Sequence, residues 1–491
     1  MHGRLKIRTS EEEKQRKKKE QTLKVRAYKA AMVKIQSKRQ KGELDDEMLQ
    51  LTSQILLRNP DVSTLWNIRR ECLLCMFKQY EDDKEKLQSI FDAELYLTEQ
   101  CLMVNPKSYG SWHQRCWSLE NNSEANWERE VQLCNKYLKL DERNFHTWDY
   151  RRFVVAKAGI EKKQELDFCT EKIRVNFSNY SSWHYRSLLL PVLYPYEGVA
   201  VPKRPMSELQ LKEELEMVLT AAFTDPNDSS AWFYQRWLLG SREFDICAFR
   251  CDSSKAVLAF TSPINGSNIH VTISNKQKET VANISNWCAP NGTNISDVWT
   301  VTLNDDICKN DITNYCDAAI DIPGTINKLL SLKLYNSSCY YFTPPNRTTA
   351  YTPAVLEELE SQLESCNSLL EYEPDSKWTL LTSALLMRAI DNQKYHKKTL
   401  EYIAKLQTVD SLRKGYYKDL TTKWILEQLL LEWSSSALMP NKIDLQEQTQ
   451  LTAIDFTQYF CIADEVLLPS YLSENKSVIE RVKSFVTLFE V

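Results

Sequence analysis

This sequence predicts a mainly α-helical protein, an α–α superhelix of helical hairpins carrying an inserted small antiparallel β-sandwich, and three observations predict it. Trp recurs at positions 66, 112, 148, 183 and 232, each time seven residues after an Asn or Asp. Glycine accounts for only 10 of 491 residues, far below the usual ~7% share, which argues against Gly-rich phosphate loops and tight hairpins over most of the chain. One central stretch, residues 251–342, drops the helical period and takes up short β-rich runs. A chain of this length exceeds one ordinary core, so several structural units are expected.

Residues 1–43 form a basic N-terminal segment. Between positions 14 and 41 twelve Lys and Arg stand against one acid, Glu20, although the whole chain carries a net charge of −4. A run of this length reads as a solvated helix rather than a nucleic-acid site. Its Leu23, Tyr28, Met32 and Ile35 lie three to five residues apart, which puts one face within reach of the body or of a partner.

Residues 44–241 hold the repeats: NPDVSTLWNIRR from Asn59, NPKSYGSWHQRCW from Asn105, DERNFHTWDYRR from Asp141, NFSNYSSWHYR from Asn176 and DPNDSSAWFYQRW from Asp225. An amphipathic helix precedes each Asn or Asp, and where Pro follows it the helix is stopped there. A capping residue, Ser63, Ser108, Asn144, Asn179 or Asp228, then opens a second helix. Trp66, Trp112, Trp148, Trp183 and Trp232 therefore sit about one turn inside that helix. Arg69, Arg115, Arg151 and Arg186 follow three residues on and share the face of their Trp. The fifth copy departs from this spacing, with Arg236 four residues on. Trp is expected to fill the groove between stacked hairpins, and Arg to bond exposed carbonyls of a neighbouring helix end.

The β-rich runs AVLAF, NIHVTI, DVWTVTL and LLSLKLY fall within residues 242–345 and are separated by Asn, Gly, Ser and Asp clusters, which is the texture of a small antiparallel sandwich. Helical patterning returns over 346–433, where EPDSKW around Trp378 reads as a shortened further repeat completing the helical domain. Residues 434–491 read as a helical tail, without the period of leucine-rich repeats and ending in an amphipathic run from Val478 to Phe489.

The start MHGRLKIRTS has no apolar leader core, and no stretch of 18 apolar residues occurs, so a cytoplasmic protein without stable membrane insertion is expected. The 14 Cys then read as reduced thiols, and Cys72 and Cys75, the one CxxC, as core packing in an apolar helix. Six His are scattered along the chain, none beside a Cys or acid cluster, so no self-contained metal or nucleophile site is expected.

NPKSYGSWHQRCW, DERNFHTWDYRRF, NFSNYSSWHYR and DPNDSSAWFYQRWLLG together resemble the repeats of protein prenyltransferase α subunits. The MHGRLK start, the β-rich stretch after WLLG and the returning helices are most similar to the Rab geranylgeranyltransferase branch. The resemblance implies a crescent of hairpins around a β subunit that holds the catalytic zinc and the isoprenoid pocket. It implies transfer of geranylgeranyl from geranylgeranyl diphosphate to C-terminal cysteines of Rab GTPases, presented by a Rab escort protein. By the same resemblance Lys107, Tyr109 and His146 match the family's diphosphate-side contacts. Lys107 precedes the cap Ser108, so its ammonium would stand beside unsatisfied helix N–H groups. Phe145 stands where other members carry a tyrosine. His2 matches an N-terminal histidine that can reach the β-subunit zinc in an autoinhibitory contact. Two other readings stay open: a non-enzymatic helical-repeat adaptor, and the α subunit of a farnesyl or type-1 geranylgeranyl transferase, which would lack the β domain.

Overall fold

The structure, a computed structural model, describes residues 11–196, 206–239, 244–290, 292–303, 312–335, 338–342, 351–435, 442–452, 460, 463 and 465–474. His2 and the run Val478–Phe489 lie outside them. The chain divides into two compact units, one of residues 1–172 with 179–182 and one of residues 173–178 with 183–491.

Each repeat folds as a hairpin. The pairs are α2 (Asp46–Leu56) with α3 (Ser63–Gln79), α4 (Lys84–Val104) with α5 (Tyr109–Asn121), and α6 (Trp127–Leu140) with α7 (Phe145–Ala158). After them come α8 (Lys162–Val175) with α9 (Tyr180–Leu193), and α10 (Glu208–Thr224) with α11 (Ser229–Leu239). The leading Asn or Asp makes an Asx turn: Asn59, Asn105, Asp141, Asn176 and Asp225 each accept from the backbone N–H two residues on, at 3.0–3.3 Å. The Trp closes the same turn. Its indole N–H donates to the carbonyl six residues back in all five copies, Trp66 to Pro60 at 2.8 Å and Trp112 to Pro106 at 2.9 Å among them. Ser108, Asn144, Asn179 and Asp228 accept from the first turn of their helices as caps do. Ser63 does not: it is the first residue of α3, whose N-cap Val62 makes no side-chain bond.

The arginines have a different task from the one their position suggests. Each pairs with a buried Glu in the first helix of the following hairpin: Arg69 with Glu94, Arg115 with Glu130, Arg151 with Glu165 and Arg186 with Glu214. Helix carbonyls are only an addition, Leu49 for Arg69 and Leu95 for Arg115. Every pair is two-pronged through Nε and Nη2, with Arg115 at 2.8 and 2.7 Å from Glu130. In the fifth copy Gln235, three residues after Trp232, occupies the seam and donates to Gln362 at 2.7 Å, so Arg236 is not the fifth member of the set. Gly110 of α5 is held to glycine by the same stacking, because a Cβ there would stand 2.7 Å from the Trp66 ring.

α1 (Glu11–Gln40) is helical as its sequence suggests, but only its end docks. Ile35 is fully buried and Met32 is half-buried, whereas Leu23 and Tyr28 are exposed. Ion pairs hold that end: Lys38 with Asp45 and Glu47, and Arg39 with Glu71.

The insert is a two-sheet antiparallel sandwich. Strands β1 (Ile246–Cys251), β2 (Lys255–Asn265), β5 (Ile295–Thr302), β8 (Lys333–Tyr335) and β9 (Ser338–Phe342) form one sheet in the order β5-β2-β1-β9-β8. The other, in the order β4-β3-β6-β7, holds β3 (His270–Asn275), β4 (Thr280–Ile284), β6 (Tyr315–Ile322) and β7 (Ile326–Ser331). Phe249, Leu258 and Phe260 of the first meet Val271, Ile273 and Ile320 of the second in one core. β1 is buried along its whole length. A bulge between Ile246 and Ala248 resets its alternation, and Cys247 and Ala248 pack on the opposite face with Val257, Ala259 and Phe342. Phe342 also packs on the C-terminal cluster of Leu426, Leu430 and Ile443.

α12 (Pro353–Tyr372) packs on α10 and α13 (Lys377–Ile390) on α11, so the helices after the insert continue the hairpin stack. α14 (His396–Val409) and α15 (Lys414–Ser435) follow, with a 3-10 turn, Ser411–Arg413, between them. The expected helical tail is corrected beyond that point: Lys442–Asp444 and Glu465–Leu467 pair as parallel strands β10 and β11. Residues 442–445 alternate exposed and buried, with Ile443 and Leu445 inside, which is a strand's period of two and not a helix's.

Arg115 and Glu130 are both buried, and removing one leaves the other charge uncompensated. Arg115→Ala should therefore cost about 3–5 kcal/mol in urea unfolding. The double variant Arg115→Met, Glu130→Gln carries no stranded charge and should recover part of the loss. A single variant as stable as the parent protein would remove the pair from its structural role.

Candidate functional site

The loop-to-helix junctions of the second and third hairpins lie side by side, and two bonds fix them there. The carbonyl of Pro106 accepts from the Trp112 indole at 2.9 Å, which closes its own loop. It also accepts from the Asn144 side chain at 2.9 Å, which belongs to the next junction. Lys107 follows Pro106 directly, and His146 lies two residues after Asn144, so the shared carbonyl sets the distance between them.

Three of the residues singled out in the sequence come together here. The Tyr109 and His146 rings meet edge to face with centroids 4.3 Å apart. Phe145 packs on the same His146, at 4.0 Å. His146 is 6% exposed whereas Tyr109 is 71% exposed, so the histidine is a buried floor under an open aromatic edge. Burial pulls the His146 pKa down; Asp149 opposes this and the charge of Lys107 adds to it. The imidazole is therefore held neutral, able to donate one N–H and accept at the other nitrogen. Lys107 extends from the loop with its side chain mostly exposed, and its ammonium is 4.0 Å from Asp141. That carboxylate was not foreseen: it leads the third repeat, and only the stacking of hairpins brings it to the second. At this distance and exposure it restrains Lys107 weakly.

The arrangement offers a cation, a phenol O–H and a neutral imidazole on one small surface beside the N-terminus of α5, a set suited to a phosphate-like anion. Phe145 supplies area and no hydroxyl, so Tyr109 is the one phenol of the group. The repeat residues Trp66, Trp112, Trp148, Trp183 and Trp232 are buried packing and loop-closing groups. Among the described residues no group of three or more His, Cys, Asp and Glu is placed to hold a metal ion. Burial pushes the Cys72 thiol up to about 12, while Cys75 is exposed and also free. Among the described residues no helix is long and apolar enough to cross a membrane.

Sequence reasoning missed the glutamates. Glu94, Glu130, Glu165 and Glu214 each stand eighteen residues before the Trp of their own hairpin, a second period running beside the first.

The protein prenyltransferase alpha subunit repeat matches residues 45–76, 91–122, 127–158, 162–193 and 211–242. The geranylgeranyl transferase type-2 subunit alpha of Bos taurus is 43% identical over 443 residues, 88% of this chain and 77% of that protein. The Homo sapiens protein of the same name is 43% identical over 445 residues, with the same shares of each chain. The Dictyostelium discoideum protein is 40% identical over 246 residues, 49% of this chain and 75% of its own. A solved chain of Candida albicans protein geranylgeranyltransferase-I complexed with GGPP is a more distant likeness, 16% identical with a TM-score of 0.44 over 81% of this chain and 90% of that one. With five repeat matches and this identity over most of its length, the chain belongs to the protein prenyltransferase alpha subunits, in the geranylgeranyl transferase type-2 branch.

Proposed function

We propose that this chain works as the α half of a heterodimer that moves a geranylgeranyl group from geranylgeranyl diphosphate to C-terminal cysteines of Rab GTPases, with a Rab escort protein presenting the substrate. The observation that carries the reading is the convergence of Lys107, Tyr109 and His146 at adjoining junctions, in a chain of the type-2 alpha family. Their part is to receive the leaving diphosphate. As the bond between the lipid C1 and the bridging oxygen lengthens, negative charge grows on the diphosphate. The Lys107 ammonium is mobile enough to exchange Asp141 for that charge. The Tyr109 hydroxyl and the neutral His146 N–H add directional donors that cost no proton transfer. The attacking group is the thiolate of the acceptor cysteine, which displaces diphosphate and keeps the lipid as a thioether.

Zinc, assigned to the β subunit, would hold that thiol as thiolate at neutral pH. Among the described residues no group of three or more His, Cys, Asp and Glu is placed to hold the metal. A non-enzymatic adaptor would have no use for a buried neutral histidine beneath an exposed lysine and tyrosine. Co-expression with a type-2 β subunit tests the whole reading. A stable complex with lipid-transfer activity is expected, and a chain that stays monomeric in its presence would sink the proposal.

Two measurements address the site. In the heterodimer, Lys107→Ala should leave assembly unchanged and lower kcat on the order of a hundredfold; unaltered kcat would reject the diphosphate role. For His146 the depressed pKa means that protons bind the unfolded chain more readily. Its contribution to stability is complete above the ordinary histidine pKa and is lost as pH falls through that value toward the folded one. His146→Gln should therefore reduce the fall in Tm between pH ~7.5 and ~5.5. An identical pH profile for the two proteins would show that burial does not hold the imidazole neutral.

A further inference from the structure

Arg236 is the repeat arginine that left the seam. Three residues after a Trp, an arginine points at the next hairpin; four residues after, the side chain is turned a further ~100° around the helix. Gln235 has taken the seam, and Arg236 lies instead against Phe233 and Trp378, with its guanidinium carbon 4.9 Å and 5.4 Å from their ring centroids. There its Nε and Nη2 are buried and have no hydrogen-bond acceptor.

In five other arginines that edge holds a carboxylate. Arg39, Arg69, Arg115, Arg151 and Arg186 each grip a carboxylate with Nε and Nη2 together. Arg236 presents the same two-pronged edge with no carboxylate on it. Asp410, the carboxylate of the neighbouring Arg413–Tyr417 cluster, is already engaged: it binds Arg413 at 2.7 Å and the Tyr417 hydroxyl at 2.8 Å. Arg413 itself stands over the other partner of the stack, 4.9 Å from the Trp378 ring. Two guanidinium groups and the Lys377 ammonium thus lie over one indole, and Asp410 pairs with Arg413. Burial, reinforced by Arg413 and opposed by Tyr416 and Tyr417, pulls the Arg236 pKa down, as an uncompensated cation requires. Exposed apolar and aromatic side chains lie close by: Phe233, Tyr416, and Leu412 at 96% exposure.

We propose that Arg236 is the receptor for a carboxylate side chain of a partner protein, an Asp or Glu flanked by apolar residues, bound two-pronged as the seam glutamates are. A planar carboxylate fits the fork, and Arg, Trp and Tyr together are the composition of a binding hot spot. The apolar surroundings favour a peptide over a free anion. The edge is covered in the unpartnered chain, so docking needs a side-chain rotation at the rim, a common change at interfaces. The proposal is independent of the prenyl-transfer reading, since none of these residues belongs to the junction site.

The test uses the full chain and blocked, fluorescein-labelled pentapeptides with a central Glu and Phe, Leu or Tyr at the flanks, beside the same set with central Gln. Fluorescence anisotropy should show saturable binding of Glu peptides, with the Gln peptides and both the Arg236→Lys and Arg236→Gln variants at least ~tenfold weaker, because lysine keeps the charge and loses the fork. Thermal melts check that the variants fold. If either does not, the Glu-against-Gln comparison on the parent protein still decides. Equal binding of the two peptide sets, no saturable binding, or equal affinity in a folded Arg236→Lys would overturn the proposal. Displacement by inorganic phosphate as readily as by unlabelled peptide would also overturn it, marking a free-oxyanion site instead.

Discussion

The buried Arg–Glu pair is the interaction on which the helical part of this chain depends. Apolar packing alone would let one hairpin slide or rotate on the next, since dispersion and hydrophobic burial are nearly indifferent to small displacements. A two-pronged guanidinium–carboxylate pair is not indifferent, because both prongs must align. Arg115 and Glu130 at 0% and 1% side-chain exposure cannot fall back on water. Misregister therefore strands two desolvated charges, and the cost of that error selects one stacking. The pair contributes register more than net stability, which is the attested use of buried ionic groups. Tyr150 and Tyr234 strengthen the constraint by donating to Glu130 and Glu214 from the second helix of the same hairpin as the Glu.

Register at the seams becomes precision at the junctions. Once α5 and α7 are locked relative to each other, the Pro106 carbonyl can serve two loops, and the Tyr109 and His146 rings must meet. The Lys107 side chain is left outside this lattice, its ammonium 4.0 Å from Asp141. A rigid floor and a loose cation suit a site that has to accept a large anion and then release it. The rigidity comes from residues that touch no ligand.

The hairpins, their turns and the buried Trp set were legible in the sequence because each rests on local chemistry: an Asx turn, a proline stop, a cap, a 3.6-residue period. The sandwich was legible for the same reason, as a change of period. What was not legible was pairing. The arginines were visible, but their partners lie fourteen to twenty-eight residues away and were hidden among 66 acids. Asp141 next to Lys107 was invisible for the same reason, since only stacking brings one repeat's leading residue to another's loop. The α1 face failed differently: Leu23 and Ile35 have similar helical credentials, yet Ala31, Met32 and Ile35 pack on the body while Leu23 and Tyr28 stay exposed. At the tail, the short strands Lys442–Asp444 and Glu465–Leu467 are too brief for periodicity to separate from helix.

The insertion point follows from the same interaction. Between α11 and α12 the seam carries Gln235 and Gln362, 127 residues apart in sequence, in place of an ion pair. An amide pair that opens while the sandwich folds leaves neutral groups, which water can satisfy at small cost, whereas an open Arg–Glu seam exposes two charges built for burial. A seam that must be closed across a long intervening domain is best made of groups that tolerate waiting. The sandwich then packs on the helices that follow it by apolar means, through Phe342 against Leu426, Leu430 and Ile443. The arginine that elsewhere would fill this seam has moved one residue on, and the side chain released from holding hairpins together is the one that the stack leaves with a buried, unpaired edge.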